Sequence, residues 1–578
     1  MRKESFALTF LSEHALAAFT IAAASLFVVF PLMNFDIFWH MANGREMLNQ
    51  GRIINEEVFS YTAQGTPFQN HEWLSQIIFH LVYKNWGVAG LINLKALVVG
   101  LTAVFLFTAV RFTGVDRLSA SLIVLAVVSA SIHRFTVRPH LFSLFFLSVV
   151  QFLLYGFRTS RLSRNWIFLI PFIMFFWDMF HGAIYGLLFL FAFMAAALAE
   201  AVLERFGEES RERLKWAALV SLLSLALMAI SPFGLRNYGS FISFGGQSNL
   251  MVALVEEFNP TRLNEFGLFW ALLAAVAVPG VLTFRRSHLA WLVLLLPFAV
   301  LSIRYNRAIP AFGIVSAPVL GHLILTMYGA GGRKASVILK VLLSALFVAM
   351  VFYMGQVKFG PGNFHSFGYG FNDKYIPYSA VRFLRNVEIE GNIFNNGEYG
   401  GLIAYELYPE KKMFMYNHHI IFQNVFLESQ SRRIFEKHGI THAMVNYTSE
   451  WNNLLFKPGD WVPVHWQGDM AILARNIPAN REIIAGYALK SYLPGTTVEE
   501  LRDIMTAVPY ATGNIAAELA RVLSFEENRE LAALLSEVLL SERHPLSAGE
   551  RGWIARNALS AAELNPSLKS TLSRIPGN

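Results

Sequence analysis

Residues 14–40 of this chain read HALAAFTIAAASLFVVFPLMNFDIFWH. Residues 14–33 are almost wholly apolar, and about 20 such residues are enough for a helix to cross the hydrocarbon core of a bilayer. A carboxylate and an imidazole, Asp36 and His40, follow directly. Because titratable groups are costly beside lipid, a loop that keeps them at a membrane surface is predicted to use them.

Composition places the chain among the polytopic membrane proteins. Its 578 residues are 54% hydrophobic and only 15% charged, with a mean hydropathy of +0.43. A soluble domain would need more charge to cover its surface. Cysteine is absent, which excludes disulfides and thiol chemistry. Lysines and arginines on cytoplasmic loops account for the net charge of +7, so no nucleic acid partner is implied.

Apolar segments of spanning length predict about eleven transmembrane helices. The first has no convincing cleavage site and is therefore a first span or signal anchor. The fifth is short, as expected of a half-span that turns at Asp178. The segments lie near residues 14–33, 91–110, 118–133, 140–157, 166–178, 183–203, 216–231, 266–284, 288–303, 308–326 and 335–354.

Positions of the basic residues predict a cytoplasmic N-terminus, because short basic loops favour the inner side. The outer side then receives the loops 34–90 and 232–264 and everything after about residue 355. Acids, imidazoles and guanidinium groups converge on that outer face, which is the strongest indication of a site. They are Asp36, His40, His71, Glu72, Arg138, His140, Asp178, His181, Arg236, Glu256, Glu257, Arg304 and Arg307.

The chain is predicted to divide into a transmembrane domain (1–354), a small α/β domain (355–478) and a helical tail (479–578) that resembles tetratricopeptide helix pairs. Capping-box spacing at Thr497 with Glu500, and at Ser547 with Glu550, predicts two helix starts in the tail. In the α/β domain, strands are predicted at 393–395, 412–416, 443–446 and 471–474, and helices at 380–386 and 430–438.

Two groups of acids and histidines are the candidate catalytic residues. Asp36 and His40 are four residues apart and would share one helical face; Asp36 is a general base, a metal ligand or merely a helix cap. His71 and Glu72 supply a second acid or metal ligand, or belong to a helix start capped by Asn70. Together Asp36, His40, His71 and Glu72 suit a hard divalent cation such as Mg²⁺ or Mn²⁺.

Outer-face arginines are the candidate phosphate ligands, because a guanidinium donates two parallel hydrogen bonds to phosphate. Arg304 and Arg307 are three apart and expected on one helical face, and Arg138 with His140 flanks Pro139. The alternative is an arginine that extends to the membrane interface. Asp178 and His181 either pair with each other or join the site, whereas Arg236, Glu256 and Glu257 are expected to be solvated loop charges.

Several of these residues lie in motifs that resemble a family of bacterial multi-pass proteins similar to the C-type (GT-C) glycosyltransferases. The resemblance covers roughly residues 30–475. Its motifs are Asp36-x-x-Trp39-His40, Gly51-Arg52-Ile53, Phe59-Ser60-Tyr61-Thr62, His71-Glu72-Trp73-Leu74, Arg138-Pro139-His140-Leu141, Trp177 to Gly182, Arg304-Tyr305-Asn306-Arg307 and Asn395 to Leu402.

The resemblance implies an enzyme of the hexosyltransferase type that takes a sugar from a polyprenyl-phosphate donor. Asp36 matches the acidic residue of the first outer loop, which would deprotonate the acceptor and invert the anomeric centre. The acceptor would be a glycan, lipid or protein of the cell envelope, at the periplasmic face of the bacterial inner membrane. The family pattern has an Asp-Gly-Arg sequence where Asn417, His418 and His419 stand, so these three inherit no role.

Two other functions stay open. A transporter or flippase for a lipid-linked glycan usually shows internal repeats and broken helices near the midplane, and no repeat is found here. A non-catalytic assembly protein would bind a protein partner through its helical tail, and it would tolerate loss of the outer acids.

Overall fold

The computed structural model describes residues 2–234, 236–238, 256–285, 288–330, 332–360, 362–372, 375–541 and 546–575. The chain forms two compact units. The first, here called the helical unit, comprises Met1–Leu32, Met47–Ile53 and Gln69–Gly370. The second, the mixed unit, comprises Met33–Glu46, Ile54–Phe68 and Phe371–Asn578. Two segments of the first predicted outer loop therefore belong to the mixed unit.

Twelve α-helices are described before residue 360, and α2 contributes residues to both units. They are α1 (Arg2–Phe27), α2 (Asp36–Gln50), α3 (Trp73–Arg111), α4 (Arg117–Ala130), α5 (His140–Arg158), α6 (Ile170–His181), α7 (Ile184–Leu203), α8 (Glu208–Ala229), α9 (Gly267–Leu282), α10 (His288–Arg304), α11 (Ile309–Ala330) and α12 (Gly332–Phe359).

Each of the eleven predicted spans overlaps one of these helices, although α1 ends at Phe27 and α6 begins only at Ile170. Five described helices are long and apolar enough to cross a membrane: Trp73–Arg111, His140–Arg158, Ile184–Leu203, Asn306–Gly329 and Lys334–Phe359. Four more are apolar but shorter: His14–Phe27, Arg117–Ala130, Gly267–Leu282 and His288–Arg304. This is a mostly helical membrane protein, and both the number of spans and their orientation stay predictions.

Helices α3 and α6 differ from the predicted spans, and a glycine with positive φ interrupts the first and ends the second. Helix α3 begins at Trp73, before the predicted span, and its path is broken at Gly87, where φ is 60°. Helix α6 does not turn at Asp178 but continues to His181 and ends at Gly182, where φ is 47°. L-residues with a side chain rarely adopt positive φ, so glycine places each break.

The mixed unit contains a four-stranded sheet of order β1-β2-β4-β3, with β1 (Asn392–Asn395), β2 (Ile440–Asn446), β3 (Trp461–Gln467) and β4 (Met470–Arg475). β1 and β2 are parallel, and the other pairs are antiparallel. The helices of this part are α13 (Tyr378–Asn386), α14 (Gly397–Glu406), α15 (His419–Glu428), α16 (Arg433–Lys437), α17 (Glu450–Leu455) and α18 (Arg481–Tyr487).

The predicted strand at 412–416 is wrong, and β3 was not predicted. Met413 forms only an isolated parallel bridge with Ser60. The backbone N–H of Met413 donates to the Phe59 carbonyl, and Tyr61 N–H donates to the Met413 carbonyl. The segment therefore pairs with the first outer loop instead of the sheet, a partnership that local sequence does not encode.

The tail consists of α19 (Val498–Ala507), α20 (Thr512–Leu523), α21 (Arg529–Leu540), α22 (Ala548–Asn557), α23 (Leu559–Leu564) and α24 (Pro566–Leu572). Both predicted capping boxes are confirmed: the side chains of Thr497 and Ser547 accept from the backbone of Glu500 and Glu550, whose carboxylates accept in return. The domain boundaries and the tetratricopeptide resemblance stay predictions.

Candidate active site

A carboxylate and two imidazoles meet in the helical unit where α3 begins and α6 ends. The Nε2 atom of His181 lies 3.5 Å from Oε1 of Glu72, and Nε2 of His71 lies 4.0 Å from the same oxygen. The Glu72 side chain is only 15% exposed. Glu72 is the N-cap residue of α3, but its side chain makes no capping hydrogen bond. Asn70 is not the cap either, since its amide donates to Gln76.

A chain of hydrogen bonds orients His181. The indole N–H of the fully buried Trp177 donates to Ser143 Oγ at 2.7 Å, and Ser143 Oγ lies 2.9 Å from His181 Nδ1. An indole N–H can only donate, so the Ser143 hydroxyl accepts from Trp177 and has its own proton to give to Nδ1. The other ring nitrogen, Nε2, is the one that faces the Glu72 carboxylate.

Backbone packing holds this arrangement. Ser75 Oγ donates to the Phe180 carbonyl at 2.6 Å, which ties the first turn of α3 to the last turn of α6. A Cβ at Gly186 would lie 2.6 Å from the Trp177 ring, so only glycine lets α7 approach α6 this closely. At Gly182, a Cβ would contact His71 at 3.4 Å, and the positive φ disfavours any other residue.

A second cluster, here called the arginine cluster, consists of Arg134, Arg138 and Arg307 around Glu257. Arg134 places its two terminal nitrogens 2.8 and 3.2 Å from the Glu257 carboxylate oxygens, and Arg138 forms an ion pair with the same group. Arg307 acts electrostatically on both Glu257 and Arg134 and packs over the Phe258 ring at 4.6 Å. Although burial raises the pKa of Glu257, the arginines outweigh it and hold that pKa well below its usual range.

His140 connects the two clusters. Its Nε2 atom lies 2.6 Å from the Arg134 carbonyl, and its ring centroid is 6.2 Å from that of His181. The helical unit thus brings together Glu72, His71, His181, His140, Arg138 and Arg307 from the predicted site, and adds Arg134, Ser143 and Glu257. The expectation that Glu257 is a solvated loop charge is wrong, because three guanidinium groups surround it. The side chain of Glu256 lies outside the described residues.

Three other residues predicted on the outer face have different surroundings. Asp178 is buried and accepts hydrogen bonds from Ser231 Oγ at 2.6 Å, Tyr238 OH at 2.6 Å and the Asn237 amide. These are the contacts of a structural carboxylate. Arg304 is exposed and packs against Tyr305. It does not share a helical face with Arg307, because α10 ends at Arg304 and Arg307 belongs to the next short turn. Arg236 is exposed, as expected of a loop charge.

Asp36 and His40 lie in the mixed unit, in the first two turns of α2, and both are buried. Four residues of helix place them on one face, as predicted. Between them Trp39 stacks on Tyr416 with ring centroids 5.4 Å apart. A Cβ at Gly401 would lie 2.9 Å from the Trp39 backbone nitrogen, so this motif glycine lets α14 approach α2.

Among the described residues, no group of three or more His, Asp or Glu side chains is arranged to hold a metal ion. The predicted divalent cation therefore stays a prediction, and no chemical step is assigned to it below. The expectation that Asp36, His40, His71 and Glu72 share one cavity also stays a prediction.

Solved structures identify the fold. The archaeal oligosaccharyltransferase AglB from Archaeoglobus fulgidus, in complex with an inhibitory peptide and a dolichol-phosphate, aligns with a TM-score of 0.55 at 12% identity, covering 75% of this chain and 69% of that chain. The fold is GT-C-like. The apo form of the oligosaccharyltransferase from the same organism gives a TM-score of 0.55 at 12% identity, covering 76% and 70%. No protein-family model and no curated protein sequence matches the chain.

Proposed function

We propose that this GT-C-like protein is a membrane glycosyltransferase that moves a sugar from a polyprenyl-phosphate donor to a cell-envelope acceptor. The observation that carries the proposal is the arrangement in the helical unit, where an imidazole-oriented carboxylate adjoins an arginine cluster through His140. AglB, which shares the fold, was solved with a dolichol-phosphate. Under the predicted orientation, the reaction takes place at the periplasmic face of the bacterial inner membrane.

The arginine cluster is suited to the donor phosphate. Three guanidinium groups and one carboxylate leave a net charge of +2 (3 − 1). Glu257 neutralises one charge and holds Arg134 and Arg138 in place before any ligand arrives. A preorganised positive group stabilises the charge that develops on a departing phosphate without having to reorganise during the reaction.

Glu72 is suited to accept the proton of the acceptor hydroxyl. In the proposed step, the acceptor oxygen forms a bond to the anomeric carbon while the bond from that carbon to the phosphate oxygen breaks. The bond electrons leave with the polyprenyl phosphate, whose charge the arginines stabilise, and the hydroxyl proton passes to the Glu72 carboxylate. In this proposal His181, whose Nε2 lies 3.5 Å from Glu72 Oε1, carries its proton on Nε2 and holds the carboxylate in place. One substitution at the anomeric carbon inverts its configuration.

Asp36, to which the family resemblance assigns the role of base, is the competing candidate. It lies in α2 of the mixed unit and is buried beside Trp39. Parallel substitutions decide between the two carboxylates: the acid whose amide variant loses transfer while keeping its fold is the base. Loss of transfer in both variants would assign each carboxylate a role.

Transfer is separated from transport by an experiment in sealed proteoliposomes. The probes are a panel of ¹⁴C-labelled polyprenyl-phosphate hexoses and pentoses, with a membrane extract as acceptor. A transferase releases polyprenyl phosphate and moves the label to the extract. A flippase moves the intact lipid to the other leaflet and releases none. Unchanged donor in its original leaflet for every probe would favour the assembly protein.

A further inference from the structure

A second basic cluster in the helical unit uses none of the residues assigned to the proposed reaction, although one of its members, His133, directly precedes Arg134. The Lys95 side chain is fully buried, and its Nζ atom has no hydrogen-bond partner among the described residues. Nζ lies 3.4 Å from the centroid of the Phe30 ring. Lys358 Nζ lies 4.7 Å from the same centroid and donates to the carbonyls of Val29 and His365. The amino groups of two lysines thus lie beside one aromatic ring.

The groups that surround these lysines are basic as well. His365 packs edge-on against Phe30 and against His133, with ring centroids 4.8 and 5.5 Å apart. His133, Lys358 and Lys95 are the titratable neighbours that act on His365. Burial, reinforced by those neighbours, lowers the pKa of His365 to about 3, so its ring is neutral and able to donate one hydrogen bond at pH 7.

The position of this basic cluster in the helical unit supports a role in ligand binding. Under the predicted orientation, the C-terminal ends of α1 and α12 reach the outer side of the membrane, where Phe30 and Lys358 lie. The Leu32 N–H donates to the Gly370 carbonyl, and Tyr369 OH donates to Asn93, so the segment after α12 is fixed against α1 and α3. The Ser131 hydroxyl, which directly precedes the short turn that contains His133, is also buried and has no hydrogen-bond partner within the part of the chain that the structure describes.

A buried ammonium without an acid is costly, and an aromatic ring offsets only part of that cost. We propose that Lys95 and Lys358, with His133 and His365, form a second anion site that binds a phosphate group, either of a membrane lipid headgroup or of a free phosphate. The ammonium groups would supply the charge and the neutral imidazoles the hydrogen bonds. The site is independent of the proposed transfer reaction, because it uses none of its residues.

The test measures the Tm of purified, delipidated protein in neutral detergent. The added probes are inorganic phosphate, phosphatidylglycerol and, as an uncharged comparison, a neutral glycolipid. Wild type is compared with Lys95→Met and Lys358→Met. Lys340→Met is the matched control, because Lys340 is an exposed lysine of the same helix, α12, as Lys358.

The proposal predicts that an anion raises the Tm of wild type and of Lys340→Met, and that Lys95→Met binds it at least about tenfold more weakly. A rise with phosphatidylglycerol alone assigns the site to a lipid, and a rise with inorganic phosphate assigns it to a free anion. Lys95→Met should also have a higher Tm than wild type without ligand, because an unpaired buried charge has been removed. If Lys95→Met does not fold, the Tm shift of Lys358→Met is compared with that of wild type instead. No rise in wild type, or an equal rise in the folded lysine variants, would overturn the proposal.

Discussion

His181 places its Nε2 atom 3.5 Å from the Oε1 atom of Glu72. Glu72 stands at the start of α3 and His181 at the end of α6, and Ser143 Oγ, which accepts from Trp177, lies 2.9 Å from the other ring nitrogen of His181. A carboxylate at a helix start is commonly read as a cap, but Glu72 makes no capping hydrogen bond with its side chain. Its contact with an imidazole is the observation on which its proposed role in proton transfer rests.

Replacement of His181 by glutamine should lower kcat by about 10²-fold, because a misplaced carboxylate loses its alignment with the acceptor. KM for the lipid donor should stay unchanged, because the arginine cluster remains intact. The measurement is steady-state transfer at varied donor concentration. If KM for the lipid donor rises by a similar factor while kcat is unchanged, His181 serves donor binding instead.

Replacement of Arg138 by methionine should weaken binding of polyprenyl phosphate by about tenfold or more, since one charged hydrogen-bond donor to the phosphate is lost. Equilibrium binding of the labelled lipid to purified protein measures this. Arg236→Met is the matched control, because Arg236 is an exposed arginine of the same unit. If both variants bind as wild type does, the arginine cluster is not the phosphate site.

Replacement of Asp178 by asparagine should destabilise the protein by about 1–3 kcal/mol, because the amide cannot accept from Ser231, Asn237 and Tyr238 together. Transfer per folded molecule should not change. Thermal unfolding and activity normalised to folded protein test the two halves. Loss of transfer in a fully folded Asp178→Asn variant would return Asp178 to the catalytic candidates.

The mixed unit should lose stability in acid through His442 and His465, since burial lowers the pKa of each to about 3. Unfolded histidine titrates near 6.5, so from about pH 6.5 down to 3 the unfolded chain binds protons that the folded chain does not. Stability should therefore fall with decreasing pH, by roughly 1 kcal/mol per pH unit for each histidine.

Limited proteolysis of the full-length protein between pH 7 and pH 4, with fragments from the mixed unit followed by mass spectrometry, measures this decline. His465→Gln keeps an acceptor for Ser379 Oγ, which lies 2.8 Å from Nε2, and removes the titration. The decline should be shallower in this variant. An identical pH dependence in wild type and variant would contradict the assignment.

Hydropathy predicted the helices well because crossing a bilayer demands long apolar runs, and each predicted span overlaps a helix. The two capping boxes were predicted equally well, because each depends on residues only three apart in the sequence. The arginine cluster was only half predicted. Arg134 and Glu257 lie far apart in the chain, and nothing near either residue indicates their ion pair.

Backbone geometry explains the other differences. Arg304 and Arg307 do not share a helical face, because α10 ends at Arg304 and Arg307 lies in the next short turn. Hydropathy shows no break at that position. The segment around Met413 has strand-like residues, but its partner is Ser60 of a distant loop. Sequence patterns report local preference and burial, whereas these pairings are decided by tertiary structure.

The central claim is that Glu72 accepts the proton in a transfer that releases polyprenyl phosphate, and the most direct measurement is the rate of that release by purified protein. Wild type, Glu72→Gln, Asp36→Asn and Asp178→Asn are compared at equal folded concentration with the labelled lipid-sugar panel and membrane extract. We predict that Glu72→Gln loses roughly 10²–10⁴-fold in rate while Asp178→Asn keeps the wild-type rate. Release by Glu72→Gln at the wild-type rate would contradict the account, and a loss confined to Asp36→Asn would assign the base to the mixed unit.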